Sequence, residues 1–253
     1  MTTYTTTLRE RRDLAEGTSA FHFAKPAGFT FKPGQAIELL IPDPAGGEDM
    51  GHAFSIVSAP FEDELVVATR MRDSAYKRAL GALKPGASVR IDGPFGSLTL
   101  HKNPARAAVL IAGGIGITPF MSMVRHAAHE PLDHRIALLY SNRRPEDAAY
   151  FDELVGLGKS HDKFRLVATM TDMAKSARSW LGDRRFIDGA FIKSAIDGLD
   201  NPIFYVAGPP ALVEAAKQAL AQAGVDEDDI RSEEFFGYET AALKDEAHSA
   251  EAA

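Results

Sequence analysis

Between Arg106 and Arg125 the chain carries eighteen residues without a charge, AAVLIAGGIGITPFMSMV. That is about the length of a membrane span. Gly113, Gly114, Gly116 and Pro119 break it in the middle, so a continuous lipid-exposed helix fits less well than a buried strand, a glycine turn and a helix. Residues 107–111 form an unbroken apolar run, as in a parallel strand covered on both faces. Over 119–129, Phe120, Met123, Val124 and Ala127 recur at helical spacing, and Pro119 suits a first helical position. The expectation is a strand–turn–helix unit and no membrane span.

The hydrophobic period differs on the two sides of this unit. Before Pro104, short strand-like stretches at 4–12, 18–24, 36–41, 52–57, 64–70 and 88–91 alternate with turns. The turns are Lys32-Pro33-Gly34, Ala45-Gly46-Gly47, Lys84-Pro85-Gly86 and Gly93-Pro94. One helix, near 74–82, interrupts the series. Six short strands in about 100 residues predict an antiparallel barrel or sandwich. After Pro104, strands at 136–140, 164–169 and 203–207 alternate with helices at 147–156, 192–197 and 211–223, the pattern of a parallel α/β sheet. The expected division is a β-barrel domain over 1–103, an α/β nucleotide-binding domain over 104–238, and an Ala- and Glu-rich tail over 239–253.

Composition narrows the chemistry. There is no cysteine, which excludes disulfides, thiol catalysis and an iron–sulfur cluster held by this chain. Residues 1–104 hold twelve basic and twelve acidic side chains, so the net −7 lies in the remainder and nucleic-acid binding is not expected. The eight histidines lack metal-ligand spacing, and no metal is expected. The opening residues lack the basic and apolar regions of a signal peptide, so a cytoplasmic protein is expected.

Gly113-Gly114-Ile115-Gly116-Ile117-Thr118-Pro119 is either a tight βα turn or a phosphate cradle, since glycine and a helix N-terminus both favour a close anion. Gly208-Pro209-Pro210 ends another apolar strand, and ligands of open α/β sheets bind beyond such carboxyl ends. These turns follow His52-Ala53-Phe54-Ser55-Ile56-Val57-Ser58 and Gly93-Pro94-Phe95-Gly96, and precede Glu233-Glu234-Phe235-Phe236-Gly237-Tyr238. In that order, over residues 4–238, the chain resembles the ferredoxin–NADP reductase superfamily of flavin-dependent NAD(P)H oxidoreductases.

The resemblance implies a flavin on the barrel, a nicotinamide cofactor on the α/β domain and hydride transfer between them. It implies that Ser55 bonds the flavin N5 edge, that Phe54 packs on the flavin, and that Ala53 belongs to the same motif. Glu234 matches a glutamate near the reacting edge, and Phe235 or Phe236 an aromatic that covers the ring. Thr69, Arg70, Met71, Arg72 and Ser74 fall where flavin phosphate contacts are usual. On the nucleotide side it implies Gly114, Gly116, Thr118, Pro119, Gly208, Pro209 and Pro210. The end of the second α/β strand, Ser141-Asn142-Arg143, has no acid before Glu146, and Arg143 matches an NADP phosphate contact of some members; Arg184 or Arg185 offers a second. A bland reading stands beside each: a strand hydroxyl on its own backbone for Ser55, a solvated face for the cations, core packing for the aromatics.

Two departures stand out. His52 replaces the arginine that normally clamps a flavin phosphate, and a neutral imidazole offers no bidentate fork; Arg70, Arg72 or Lys77 is the expected source of the lost charge. Ala207 stands where many members carry cysteine. The implied function is an FAD-dependent reductase using NADP or NAD and passing electrons to a separate carrier, ferredoxin or flavodoxin. Alternatives are a reductase of free flavin or ferric chelates, and a regulatory module that binds flavin or nucleotide without turnover. The tail is expected at the nicotinamide side of the flavin.

Overall fold

The computed structural model describes residues 2–130 and 132–236. Tyr238 and the tail 239–253 therefore lie outside the described residues.

The first half is a closed antiparallel sheet. Strands β1 (Thr2–Ala15), β2 (Thr18–Ala24), β3 (Ala36–Ile41), β4 (Met50–Ser55), β5 (Glu64–Arg70) and β6 (Ser88–Phe95) are ordered β4-β3-β6-β1-β2-β5. A bridge between Ile56 and Val67 and a bond from Val57 N–H to Val66 C=O join the two edge strands. Closure removes exposed edges. β1 is long enough to serve both sides of the barrel: Thr2 to Thr7 pair with β6, and Leu8 onward with β2 through a register shift after Leu8. Period-2 alternation sends Phe21, Phe23, Ile37, Leu39 and Ile41 inward. Helix α1 (Ala75–Ala82) adds Ala79 and Leu80 to this core.

The second half is a parallel sheet of β7 (Ala108–Gly113), β8 (Ile136–Asn142), β9 (Phe164–Met170), β10 (Ile203–Gly208) and β11 (Ile230–Glu234), ordered β11-β10-β7-β8-β9. Its helices are α2 (Thr118–His129), α3 (Phe151–Ser160), α4 (Gly189–Ala195) and α5 (Pro210–Gln222). Every residue of β7 and β10 is buried. One face packs on α4 and α5 through Phe191, Ile192, Val213 and Leu220. The other packs on α2, on Leu154 of α3, and on the outer barrel wall at Ala20, Val57, Val66 and Ala68. The two halves thus share an apolar layer.

Polar bonds close its rim. Ser122 Oγ donates to Ser58 C=O at 2.7 Å, and Arg125 bridges Glu153 of α3 at 2.7 Å and Glu62 of the barrel at 3.6 Å. Arg144 pairs with Glu16 at 3.0 Å.

The uncharged run is β7, a 3₁₀ turn over Gly114–Ile117, and α2. Among the described residues no helix is long and apolar enough to cross a membrane. Several limits differ from expectation. β4 ends at Ser55, two residues before the apolar run does, because Ile56 and Val57 turn to bridge β5. α3 starts at Phe151 rather than 147, after a 3₁₀ turn and a left-handed Tyr150. α4 starts at Gly189, because Asp188 caps Phe191 N–H at 2.7 Å. β11 had no counterpart in the sequence reading.

Gly116 tests the packing. A Cβ there runs into the carbonyl of Ala207, whereas Gly156 in α3 has open space. Gly116→Ala is expected to cost about 1–3 kcal/mol, as overpacking does. Gly156→Ala is expected to be neutral or stabilising by up to about 1 kcal/mol. Thermal melts of the two variants check both values.

Candidate functional site

Two βα turns meet at the carboxyl end of the parallel sheet, where strand order reverses between β7 and β10. Such a switch point opens a crevice. The turns approach as backbone on backbone. Gly208, at φ +155°, leaves only 3.1 Å between a would-be Cβ and Gly113 N. At Gly113 a Cβ lands 2.7 Å from the side chain of Leu212. Gly113 and Gly114 both line the crevice, and Gly114, at φ +54°, lies against the guanidinium of Arg70.

The crevice is a cleft of about 360 Å³. It gathers Arg70 and Arg72 from the barrel with Gly114, Ser141, Asn142, Arg143 and Pro209 from the α/β half. Arg143 stands exposed at the rim, while its neighbour Arg144 is held by Asp147 at 2.7 Å. Arg185 is paired with Asp183 at 2.6 Å, and Arg184 donates to Trp180 C=O at 2.9 Å. Thr171, Phe186 and Leu212 complete the walls, and sequence reasoning had not picked them.

A second cleft, of about 220 Å³, lies between β4 and the end of β11. His52, Ala53, Phe54 and Ser55 form one side; Thr118, Glu233, Glu234, Phe235 and Phe236 form the other. Ile115 lines both clefts, which therefore adjoin at its side chain. Ser55 Oγ is buried here and has no hydrogen-bond partner among the described residues. Burying a hydroxyl without a partner is costly, so the position fits a ligand that bonds it. Thr118 Oγ1, by contrast, is spent on Ile115 C=O at 3.0 Å.

β11 alternates, so Glu233 and Phe235 share one face and Glu234 and Phe236 the other. Glu233 and Phe235 are half-buried, whereas Glu234 and Phe236 are exposed. Burial pushes the Glu233 carboxyl above its ordinary value. Phe235 N–H donates to Gly208 C=O at 2.9 Å, which ties the aromatic to the second turn.

Other residues singled out from sequence stand behind the walls. Gly116, Pro119, Gly208 and Pro210 shape the turns, with Pro119 and Pro210 in the first turns of α2 and α5. Met71 N–H is held by Gly17 C=O at 2.7 Å, Thr69 Oγ1 accepts from Lys77 Nζ, and Ser74 caps α1. Glu10, His22 and Glu64 form an acidic–imidazole cluster on the barrel exterior. Its groups are already engaged: a hydrogen bond joins His22 Nδ1 and Glu64 at 2.8 Å, and ion pairs join Arg9 to Glu64 at 3.3 Å and Arg12 to Glu10.

Residues 110–218 match the oxidoreductase NAD-binding domain. Ferredoxin–NADP reductase B of Sorangium cellulosum (strain So ce56) is 31% identical over 170 residues, covering 66% of this chain and 68% of that protein. The chain belongs to the ferredoxin–NADP reductase superfamily. The propane 2-monooxygenase reductase component of Mycolicibacterium smegmatis is 29% identical over 218 residues, or 83% of this chain. This superfamily member spans 61% of the length of that component and 57% of its Rhodococcus jostii counterpart. Its fold also matches the crystal structure of a ferredoxin NADP+ reductase from Neisseria gonorrhoeae with bound FAD and NADP. There the TM-score is 0.77 at 22% identity, over 92% of this chain and 99% of that one. The superfamily comprises flavin-dependent NAD(P)H oxidoreductases.

With a flavin bonded at Ser55 Oγ, Ser55→Ala would retain flavin and slow its reduction by NAD(P)H on the order of 10²-fold, the usual cost of one positioned donor at a reacting edge. Stopped-flow bleaching of the flavin band measures it. Glu233→Gln should abolish an ionisation above the ordinary carboxylate range in the pH profile of that reduction, and Glu234→Gln should leave it in place.

Proposed function

We propose that this chain is an FAD-dependent NAD(P)H oxidoreductase that takes hydride from the nicotinamide cofactor and passes electrons to a separate carrier, ferredoxin or flavodoxin. In this reading the barrel, 1–103, holds the flavin, and residues 104–238 hold the dinucleotide. The observation that carries it is the meeting of the two clefts at Ile115, with the unpaired Ser55 hydroxyl buried in one and the glycine turn opening the other.

A bound flavin supplies the redox step, since it accepts a hydride and releases electrons singly. The chain supplies position. Ser55 Oγ serves as donor or acceptor at the ring edge, as a hydroxyl can for either redox state. Glu233, whose burial strengthens its hold on a proton, lines the same cleft. Phe54 and Phe235 exclude water from opposite sides. Gly114, without a side chain, lets a pyrophosphate reach the backbone that leads into α2. Arg143 offers a cation to a 2′-phosphate, and the absence of an acid at Ser141-Asn142-Arg143 favours NADPH over NADH.

The carrier belongs to the same proposal. The chain has no cysteine with which to hold a cluster, and its relatives include reductase components of propane, phenol and glycine betaine monooxygenases. Both facts support delivery to a separate protein, including the ferredoxin of an oxygenase.

Anaerobic titration of the purified protein with NADPH and NADH, then with ferredoxin, flavodoxin, free flavin or ferric chelate, tests the reading. Bleaching by NADPH and reoxidation by a carrier protein is the expected result. A yellow protein bleached by neither cofactor would make it a binding module without turnover. Arg143→Ala should lower affinity for NADPH about 10- to 150-fold, the value of one charge-assisted contact, and leave NADH unchanged.

A further inference from the structure

At the amino end of the parallel sheet, opposite the crevice, α2 and α3 leave a pocket of about 190 Å³ beside the first residues of β8 and β9. Its walls are largely apolar, formed by Val124 and Ala127 of α2, Leu157 of α3, and Leu132, Ile136 and Phe164. None of these residues lines either cleft described above. Apolar cavities of about 150 Å³ are known to take a benzene-sized guest, so the space suits a single ring.

His134 interrupts this wall. It is 7% exposed, and neither ring nitrogen has a hydrogen-bond partner among the described residues. Its ring meets that of His101 edge-on at 4.8 Å, but both His101 nitrogens are taken, by the Tyr205 hydroxyl at 2.8 Å and Arg106 C=O at 3.0 Å. Burial lowers the His134 pKa, against smaller upward pulls from His101 C=O, which closes no hydrogen bond to it, and from Asp133. The ring is therefore neutral at pH 7, with one donor and one acceptor to offer. Buried polar atoms are costly when unbonded, so an orphan imidazole in a pocket wall marks where the polar group of a ligand belongs. The other polar groups bear on the ligand's charge. His161 spends its nitrogens on Ser160 Oγ at 2.8 Å and Ala128 C=O at 3.0 Å, and Lys163 is paired with Asp133 at 2.6 Å. The remaining charged groups of the lining are the carboxylates of Glu130 and Asp162, which repel an anion, and the apolar walls disfavour a charged guest of either sign.

We propose that this pocket is a binding site for a small neutral molecule with a ring-sized apolar body and one hydroxyl group, which hydrogen-bonds His134. The site lies at the opposite end of the strands from the crevice and does not depend on the flavin reading.

The test is an NMR titration of the methyl-labelled full chain with phenol, benzene and benzoate. Wild type should bind phenol saturably, with ring-to-methyl NOEs to Val124, Leu132 and Leu157 and none to Ile115, which lines the two clefts. Benzene should bind about two- to tenfold more weakly, the value of one neutral hydrogen bond, and benzoate should not bind at the same concentrations. His134→Phe should erase the preference for phenol over benzene, and Ala127→Phe, which fills the pocket, should block both. The wild-type NOEs decide the location even where a variant fails to fold. Absence of saturable phenol binding, NOEs confined to Ile115, or a preference for phenol that persists in His134→Phe would each overturn the assignment.

Discussion

The site depends on how closely two backbone turns approach. Gly208 lies against Gly113, and Gly116 lies under the carbonyl of Ala207. A side chain at any of these points would push β10 and β7 apart at their carboxyl ends. Because the crevice is the gap left between those ends, its depth is a property of backbone packing before any functional side chain is considered. Gly113 and Gly114 convert that closeness into access, by presenting bare backbone to the cleft.

The barrel is placed by the same logic one layer out. Its outer wall at Val57 and Ala68 packs on Ile115 and Phe120, so the strand that carries Ser55 is held next to the turn that carries Gly114. Ile115 therefore does two things at once: it anchors the barrel and forms the wall common to both clefts. On the barrel side of that wall the buried Ser55 hydroxyl has no partner among the described residues, and the buried Lys77 ammonium has Thr69 Oγ1 but no carboxylate. Both are costs carried by the folded chain, and both are the kind of cost that a polar ligand removes.

The architecture was legible because it follows from period. Alternating apolar residues, turn glycines and prolines announce the barrel, and the continuous runs of β7 and β10 announce a sheet buried on both faces. β11 was not legible: Ile230-Arg231-Ser232-Glu233-Glu234 holds one apolar residue, and an edge strand is fixed by its pairing with β10 rather than by its own pattern. At the site, residues recognisable by position, such as Ser55, Arg143 and Pro209, reach the clefts. Glu233 and Lys77 were harder to weigh. A glutamate and a lysine read as solvated charges until a fold buries them, and what buries them here is contributed by residues distant in the chain. Gly116 and Gly208 show the converse: a glycine-rich turn reads as a ligand cradle, while packing alone already requires these two.

The sequence divides cleanly into two patterns, yet the layer between them is apolar across its middle and polar only at its rim. Val57, Val66 and Ala68 belong to the barrel by pairing and to the α/β half by what they touch. Separating the halves would expose that layer and break the bridge from Arg125 to Glu62 and Glu153. Neither sheet can lose its order without baring part of that layer on the other. Two architectural units on paper are thus one cooperative unit in thermodynamic terms, and a single melting transition is the natural behaviour of such a seam.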